Sequence, residues 1–190
     1  MNEDNIIKKL KFDNEPSLKN LFDDYSRMVF NVAFRMLQNR EDAEDVTQDV
    51  FLKVYKSLKH FRGESQISTW IYRITVNLSL NFQRKRKYRQ WLSLDFNSSD
   101  NDDREIDIPD SKEENPNGIM ERKETEQIVQ AAINSLSEQQ RVALLLHRYE
   151  GLSYEEIAKI MDTSVASVES RLHRAKISLT NKLLKLKSEL

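Results

Sequence analysis

The sequence of 190 residues contains no cysteine, and only three glycines and three prolines. The lack of cysteine excludes disulfides, thiolate catalysis and cysteine-based zinc sites, and it is typical of proteins from reducing compartments such as the cytoplasm. Few glycines and prolines, together with 32% charged residues, favour helices over turn-rich β structure. We therefore predict an all-α protein.

Long hydrophobic runs are also missing. No run approaches the roughly 18 apolar residues that a membrane span requires, and residues 1–17 lack the apolar region of a signal peptide. The three histidines, His60, His147 and His173, do not have the spacing of metal ligands, and there is no phosphate-binding loop or nucleophile motif. We expect a cytoplasmic protein with no membrane insertion, no metal, no cofactor and no enzymatic activity.

Charge is distributed unevenly along the chain. The net charge is −1, but residues 1–92 carry 17 basic and 12 acidic side chains, whereas residues 93–118 carry two basic and nine acidic ones. The acidic segment has no helical period, is rich in Asp, Asn and Ser, and holds two of the three prolines. The pattern predicts two small helical domains, 1–92 and 122–190, joined by a flexible acidic linker over 93–121.

Apolar residues recur at helical spacing in the first domain. The period predicts helices over 18–37, 41–60 and 69–91, with a loop that contains the first glycine of the chain before the third helix. The predicted inward stripe of the first helix is Leu18, Leu21, Phe22, Tyr25, Val29, Val32, Ala33 and Met36, and that of the second is Ala43, Val46, Val50, Val54 and Leu58. The second predicted helix has an outer face of Asp45, Gln48, Asp49, Leu52 and Lys56. This acidic face would repel DNA, so it is either a surface for a protein partner or a solvated helix face.

The end of the third predicted helix is strongly basic. Five of the six residues in RKRKYR, at 84–89, are basic, and aromatic residues are interleaved around them: Trp70, Tyr72, Phe82, Tyr88 and Trp91. Basic residues bind phosphates without reading sequence, and neighbouring aromatic rings suit unstacked single-stranded bases. The alternative is a core role for Trp70 and Phe82 and a solvated end of the helix, and for Trp70 we favour the core.

Residues 151–176, GLSYEEIAKIMDTSVASVESRLHRAK, predict a helix-turn-helix after earlier helices near 119–136 and from Ser137. Ser153 and Glu156 form a capping box, Asp162 suits a left-handed turn, and Ser164 caps the second helix. The predicted buried stripe of this second helix consists of Val168, Leu172, Ala175 and Leu179. Its outward side can enter a major groove, although a plain helical hairpin with a charged solvated face is the alternative.

Three segments together are similar to a known family. They are DAEDVTQDVFLKVY at 42–55, FRGESQISTWIYRITVNLSLNFQRKRK at 61–87, and LSEQQRVALLLHRYEGLSYEEIAKIMDTSVASVESRLHRAKISL at 136–179. In order and spacing they resemble bacterial sigma-70 family sigma factors of the extracytoplasmic-function (ECF) group, over about residues 15–92 and 122–187. The resemblance implies a first domain (region 2) that docks on core RNA polymerase and opens the promoter −10 element, and a second (region 4) that reads the −35 element.

The resemblance also implies roles for individual residues. The face for the polymerase β′ clamp helices would comprise Asp45, Gln48, Asp49 and Leu52. Contacts with −10 DNA would come from Arg62, Gly63, Glu64, Ser65, Gln66, Ile67, Trp70, Tyr72, Arg73, Asn77, Arg84, Lys85, Arg86 and Lys87. Contacts with −35 DNA would come from Ser164, Ala166, Ser167, Ser170, Arg171, His173, Arg174 and Lys176.

Within the −10 set, the loop 62–67 corresponds to the one that captures a flipped base, Asn77 lines its pocket, and Trp70 and Tyr72 lie in the strand-opening segment. The implied partners are core RNA polymerase, through its β′ clamp helices and β flap, promoter DNA in duplex and melted form, and, where one exists, an anti-sigma factor. We expect the free chain to be a monomer. The competing interpretation is a conventional helix-turn-helix regulator that binds duplex DNA without polymerase.

Overall fold

The computed structural model describes residues 14–61, 63, 65–94 and 128–188, and the chain divides into two compact units, Met1–Arg104 and Glu105–Leu190. The described residues form helices and no strands, which confirms the predicted all-α class. In this part of the chain no helix combines the length and the apolar character needed to cross a bilayer.

The N-terminal unit contains three long helices. Helix α1 spans Asn14–Leu37, α2 spans Arg40–Ser57 and continues into a 3₁₀ turn at Leu58–His60, and α3 spans Ile67–Leu94. All three predicted helices are therefore present, with bounds that differ by a few residues. Residues 93 and 94 were expected in the linker but belong to α3, and the rest of the predicted linker lies outside the described residues.

Contacts among α1, α2 and α3 enclose one hydrophobic core. The predicted stripe of α2 is buried as expected, and Phe51 joins it. Phe22 was expected inside with the stripe of α1, but it is 47% exposed and instead packs its ring against Phe51, with centroids 4.8 Å apart. Burial of this apolar surface is the main stabilising term for the unit. Its fully buried side chains include Leu21, Val29, Val46, Val50, Val54, Ile67 and Ile71.

The C-terminal unit contains short helices followed by a long last helix. Residues 128–134 form helix α4, followed by α5 (Glu138–Arg148), α6 (Tyr154–Met161) and α7 (Val165–Ser188). Val129 was expected inside with the α4 pattern but is exposed, and the predicted start of that pattern lies outside the described residues. The core of this unit is built from Ala132, Ile133, Leu136, Val142, Leu145, Leu146, Ile157, Ala158, Ile160, Val168, Leu172 and Ala175.

Candidate functional site

Reciprocal hydrogen bonds define the start of α6. The Ser153 backbone N–H donates to Glu156 Oε2 at 2.8 Å, and the Glu156 N–H donates to the Ser153 hydroxyl at 3.2 Å, as predicted for a capping box. The donated hydrogen bonds from Ser153 hold the pKa of the Glu156 carboxyl below its ordinary value of 4.5, and Lys159 adds to this effect. A second capping box, formed by Ser137 and Gln140, begins α5.

A tight turn then sets the direction of α7. Asp162 takes the left-handed conformation, with φ 51° and ψ 57°, and its N–H donates to the Ala158 carbonyl. The Thr163 N–H donates to the same carbonyl at 3.0 Å. The Ser164 hydroxyl accepts from the Ser167 N–H at 3.2 Å, which confirms the predicted cap of α7. The turn predicted from sequence is therefore present with its expected backbone.

The two sides of α7 differ in burial as the period predicted. Val168, Leu172 and Ala175 are buried, while Leu179 is half-buried. The outward residues of the predicted −35 set are exposed at Ser164, Ala166, His173, Arg174 and Lys176, and half-buried at Ser167, Ser170 and Arg171.

Two arginines of this set have different surroundings. Arg174 Nη2 donates to the Ser170 hydroxyl at 2.7 Å, one turn earlier on the exposed side of the helix. Arg171 instead turns back along the molecule, with its Nη1 4.0 Å from the Met161 sulfur at the end of α6. The Arg174 guanidinium therefore lies on the exposed side of α7, where a ligand can reach it, whereas the Arg171 guanidinium contacts the end of α6 just before the turn.

A groove of about 720 Å³ runs beside the exposed side of α7. Ala166, Ser170, His173 and Lys176 line it from α7, and His147 and Tyr154 line it from the two preceding helices. The His147 and Tyr154 rings meet edge to face with centroids 5.2 Å apart. Glu169 also borders the groove, so its lining carries one acidic group and one lysine, and the remaining apolar surface comes from Leu144, Leu172, Leu179 and Leu183.

The predicted protein-facing surface lies on the outer side of α2. Asp45, Gln48 and Asp49 are exposed, and Leu52 is 54% exposed between them and the end of the helix. The residues that the sequence predicted for this face are therefore brought together on one accessible helix surface.

The loop before α3 is only partly described, since Arg62 and Glu64 lie outside the described residues. Gly63 is exposed with φ +75°, a conformation in which other residues are strained. Gln66 is exposed and Ser65 half-buried. Ile67 corrects the prediction, because its side chain is 1% exposed and packs in the core.

Within α3, the predicted −10 residues divide into interior and surface groups. Tyr72 is 8% exposed, so its ring packs in the interior and a direct contact of this side chain with DNA is removed from the prediction. Trp70 is half-buried against the core, with its ring centroid 4.8 Å from that of Phe61. Arg73 and Asn77 are exposed one turn apart.

The basic end of α3 also divides. Arg84, Lys85, Arg86 and Lys87 are all exposed. Arg86 also turns towards α2, where its Nη1 lies 2.8 Å from Asp42 Oδ2. One turn earlier, the Gln83 side-chain amide donates to the Met36 carbonyl at the end of α1. These two links fix the basic end of α3 against the bundle. Asp42 had no assigned role in the sequence, because a pairing over 44 residues leaves no local signal.

Comparisons with known proteins agree with this geometry. Family models described as "Sigma-70 region 2" and "Sigma-70, region 4" match residues 21–89 and 126–179. The chain is 36% identical over 165 residues to the RNA polymerase sigma-H factor of Pseudomonas aeruginosa, covering 87% of this chain and 85% of that one. It is 38% identical over 159 residues to the ECF RNA polymerase sigma-E factor of Escherichia coli, covering 84% and 82%.

Solved structures share the fold. The sigma factor RpoE of Bartonella quintana, solved with the anti-sigma factor NepR, has a TM-score of 0.65 at 23% identity, covering 87% of this chain and 95% of that chain. CnrH, solved with the cytosolic domain of CnrY, has a TM-score of 0.66 at 19% identity, covering 95% and 96%.

Proposed function

Because this chain belongs to the ECF group of the sigma-70 family and is an RNA polymerase sigma factor, we propose how its surfaces divide that work. The N-terminal unit docks on core polymerase through the acidic side of α2 and holds melted −10 DNA on α3. The C-terminal unit reads duplex −35 DNA with α7. A sigma factor supplies promoter specificity rather than catalysis, so the bond-forming chemistry belongs to the polymerase.

The observation that carries the proposal is the presence of oppositely charged surfaces on one small helical bundle. Asp45, Asp49 and Leu52 form an acidic, partly apolar surface on α2, while α3 carries exposed basic residues. Nucleic acid cannot occupy both surfaces, because phosphates are repelled by the first and attracted by the second. A basic protein helix, such as those of the β′ clamp, is the complementary occupant of the acidic side.

The proposed duplex reader is the exposed side of α7. A recognition helix contacts base edges with residues near its N-terminus, and here Ala166, Ser167 and Ser170 occupy that end. Arg174 follows at the next turn, hydrogen-bonded to Ser170, and is placed for guanine or phosphate. His173 continues this side and Lys176 lies on its flank, and both line the groove. The β flap of the polymerase is the proposed protein partner of this unit.

We assign residues 1–92 to region 2, 93–121 to a linker and 122–190 to region 4, with α3 extending the first by two residues. An anti-sigma factor is a further proposed partner, supported by RpoE and CnrH, whose structures contain protein partners. Since each unit has its own core, we expect a monomer when neither polymerase nor such a partner is bound.

Run-off transcription with sigma-free core polymerase tests the proposal. Promoters would be taken from upstream of the protein's own gene, and the Asp49→Arg and Arg174→Ala variants would be compared with the unchanged chain. We expect polymerase-dependent transcripts that both variants reduce at least tenfold. Asp49→Arg should also fail to bind core polymerase, whereas Arg174→Ala should bind it normally and fail only on the promoter.

Matched controls separate these interfaces from general charge effects. Asp24→Arg makes the same charge reversal at an exposed position on α1, and Lys182→Ala removes a basic side chain further along α7. Both should transcribe normally. Absence of transcripts, combined with tight binding of the free chain to a discrete duplex site, would instead support the conventional helix-turn-helix regulator.

A further inference from the structure

An exposed aromatic pair lies at the end of α3, beyond the residues already assigned to DNA. Tyr88 and Trp91 are 62% and 61% exposed, and their rings lie 27° from parallel with centroids 6.3 Å apart. The adjacent Leu92 is exposed as well. Tryptophan is highly buried on average and tyrosine is intermediate, so an exposed stacked pair beside Leu92 forms an apolar surface of the kind that marks binding sites.

The pair belongs to a continuous stripe along one side of α3. At 100° per residue, five residues fall within an arc of about 80°, and all five are exposed: Asn77, Asn81, Arg84, Tyr88 and Trp91. The distance along the helix from Asn77 to Trp91 is about 21 Å at 1.5 Å per residue. The aromatic pair is therefore aligned with the proposed −10 residues, and it lies on the opposite side from Arg86, which is engaged with Asp42.

Charge around the pair selects the kind of occupant. No acidic residue occurs between residues 65 and 94, and Arg84 and Lys85 lie one turn before Tyr88. A basic protein surface would be repelled here, and a purely apolar one would offer no partner to the exposed Lys85 ammonium. A nucleic-acid strand suits both parts of the surface, since its phosphates pair with the basic side chains and its bases stack on the rings.

We propose that Tyr88 and Trp91 form a stacking platform for an unpaired DNA base, separate from the base pocket proposed at Asn77. The proposal rests on the proposed function in that melted promoter DNA is the strand supplied. Duplex DNA does not suit the platform, because its bases are already stacked on each other and expose only their edges. The platform would thus favour the opened promoter over the closed one.

Tryptophan fluorescence gives a direct test in the complete chain. The protein has two tryptophans, so Trp70→Phe leaves Trp91 as the only reporter. This variant would be titrated at low salt with a mixed-sequence single-stranded 20-mer, and with an abasic 20-mer of equal charge. We expect saturable quenching by the base-bearing strand and binding about tenfold tighter than the abasic strand, since stacking of one base on an aromatic side chain contributes roughly 5- to 150-fold in affinity.

Variants in the unchanged background make the test independent of Trp70→Phe. By fluorescence anisotropy, Tyr88→Ala and Trp91→Ala should each weaken binding of the base-bearing strand by about tenfold and leave abasic binding unchanged. Tyr55→Ala, at a similarly exposed tyrosine of α2, should bind like the unchanged chain. Equal affinities for the two strands, undetectable binding at low salt, or no loss in both variants would overturn the proposal.

Run-off transcription by the unchanged chain separates failure of the stacking platform from failure of the proposed function. If the unchanged chain supports polymerase-dependent transcription but shows no preference for base-bearing strands, the stacking platform is wrong and the proposed function stands. If the chain supports no transcription at all, the proposed function fails whatever the strand preference is.

Discussion

The two units of this sigma factor reach their helical structure in different ways. The N-terminal unit uses long helices of 24, 18 and 28 residues around one large core. The C-terminal unit contains helices α5 and α6 of only 11 and 8 residues, each begun by a capping box. Isolated helices shorter than about 12–15 residues are marginal in water, so the C-terminal unit depends on local capping to a degree that the N-terminal unit does not.

This difference matches the proposed tasks of the units. A recognition helix must enter a groove at a defined angle, and in the C-terminal unit that angle is set by the Asp162 turn and the Ser164 cap. The N-terminal unit presents surfaces along whole helix sides, so its requirement is a rigid bundle rather than one accurate turn. Variants that act on one unit alone test whether the two units differ in this way.

The largest expected effects come from core truncation. Ile71 and Ile157 are both fully buried, one in each unit, and replacement by Ala should cost about 3 kcal/mol of unfolding free energy in each. Trp70 and Trp91 both lie in the N-terminal unit, so tryptophan fluorescence follows that unit while circular dichroism follows both. In urea, Ile71→Ala should shift the fluorescence transition, and Ile157→Ala should shift only part of the dichroism transition.

The same pair of measurements shows whether the units unfold separately. If Ile157→Ala moved the fluorescence transition as far as Ile71→Ala does, the chain would unfold as one cooperative body. That result would contradict separate unfolding of the two units. Ser178→Ala, an exposed substitution on α7, provides the control, since surface changes of this kind stay within about 0.5 kcal/mol.

Capping residues should give the next largest effects. Asn39 caps the 18-residue α2 by accepting from the Asp42 N–H, and Ser153 caps the 8-residue α6. Replacement of either by Ala should cost about 1 kcal/mol. We expect only Ser153→Ala to weaken promoter binding as well, because a frayed α6 leaves the direction of α7 undefined. Footprinting of the −35 element would detect this, and equal loss with Asn39→Ala would contradict it.

The comparison also explains which features were predictable from sequence. The Ser153–Glu156 capping box, the left-handed Asp162 and the Ser164 cap each depend on nearby residues in the sequence, so the C-terminal turn was predicted in detail. The buried stripe of α2 was predicted for a similar reason, because helical periodicity is a local signal.

Features that depend on packing between helices were missed. Ile67 and Tyr72 were predicted to contact DNA but are interior, since their burial is decided by neighbouring helices. Phe22 fits the apolar period of α1 but lies at the edge of the core. The Asp42–Arg86 pair joins residues 44 positions apart, so no local pattern could have separated Arg86 from the other basic residues of α3.

A smaller effect, on the salt dependence of single-strand binding, should distinguish Lys85 from Arg86 at the basic end of α3. Each phosphate contact with a single strand contributes about 0.7 to the slope of log affinity against log salt. Lys85→Ala should therefore lower the slope for a single-stranded oligonucleotide by about 0.7, whereas Arg86→Ala should leave it unchanged because Arg86 is engaged with Asp42. Asp42→Asn should raise the slope by releasing Arg86. Equal slopes for the two alanine variants would show that Arg86 contacts DNA like its neighbours.

The smallest effect expected is a pH dependence confined to the C-terminal unit. Hydrogen bonds from Ser153 lower the pKa of Glu156 below its ordinary value of 4.5 in the folded chain. A carboxyl with a lowered folded pKa stabilises the fold above its unfolded pKa, and the contribution disappears as the pH falls through the folded pKa.

Glu156→Gln keeps an acceptor for the capping box but does not titrate, so its stability deficit at pH 7 should shrink as the solution is acidified below pH 4.5. Circular dichroism melts in urea would measure the deficit, with Glu155→Gln as the control for removing a charge from the same first turn. A deficit that stays constant or grows on acidification would mean that the charge of Glu156 does not contribute to the cap of α6.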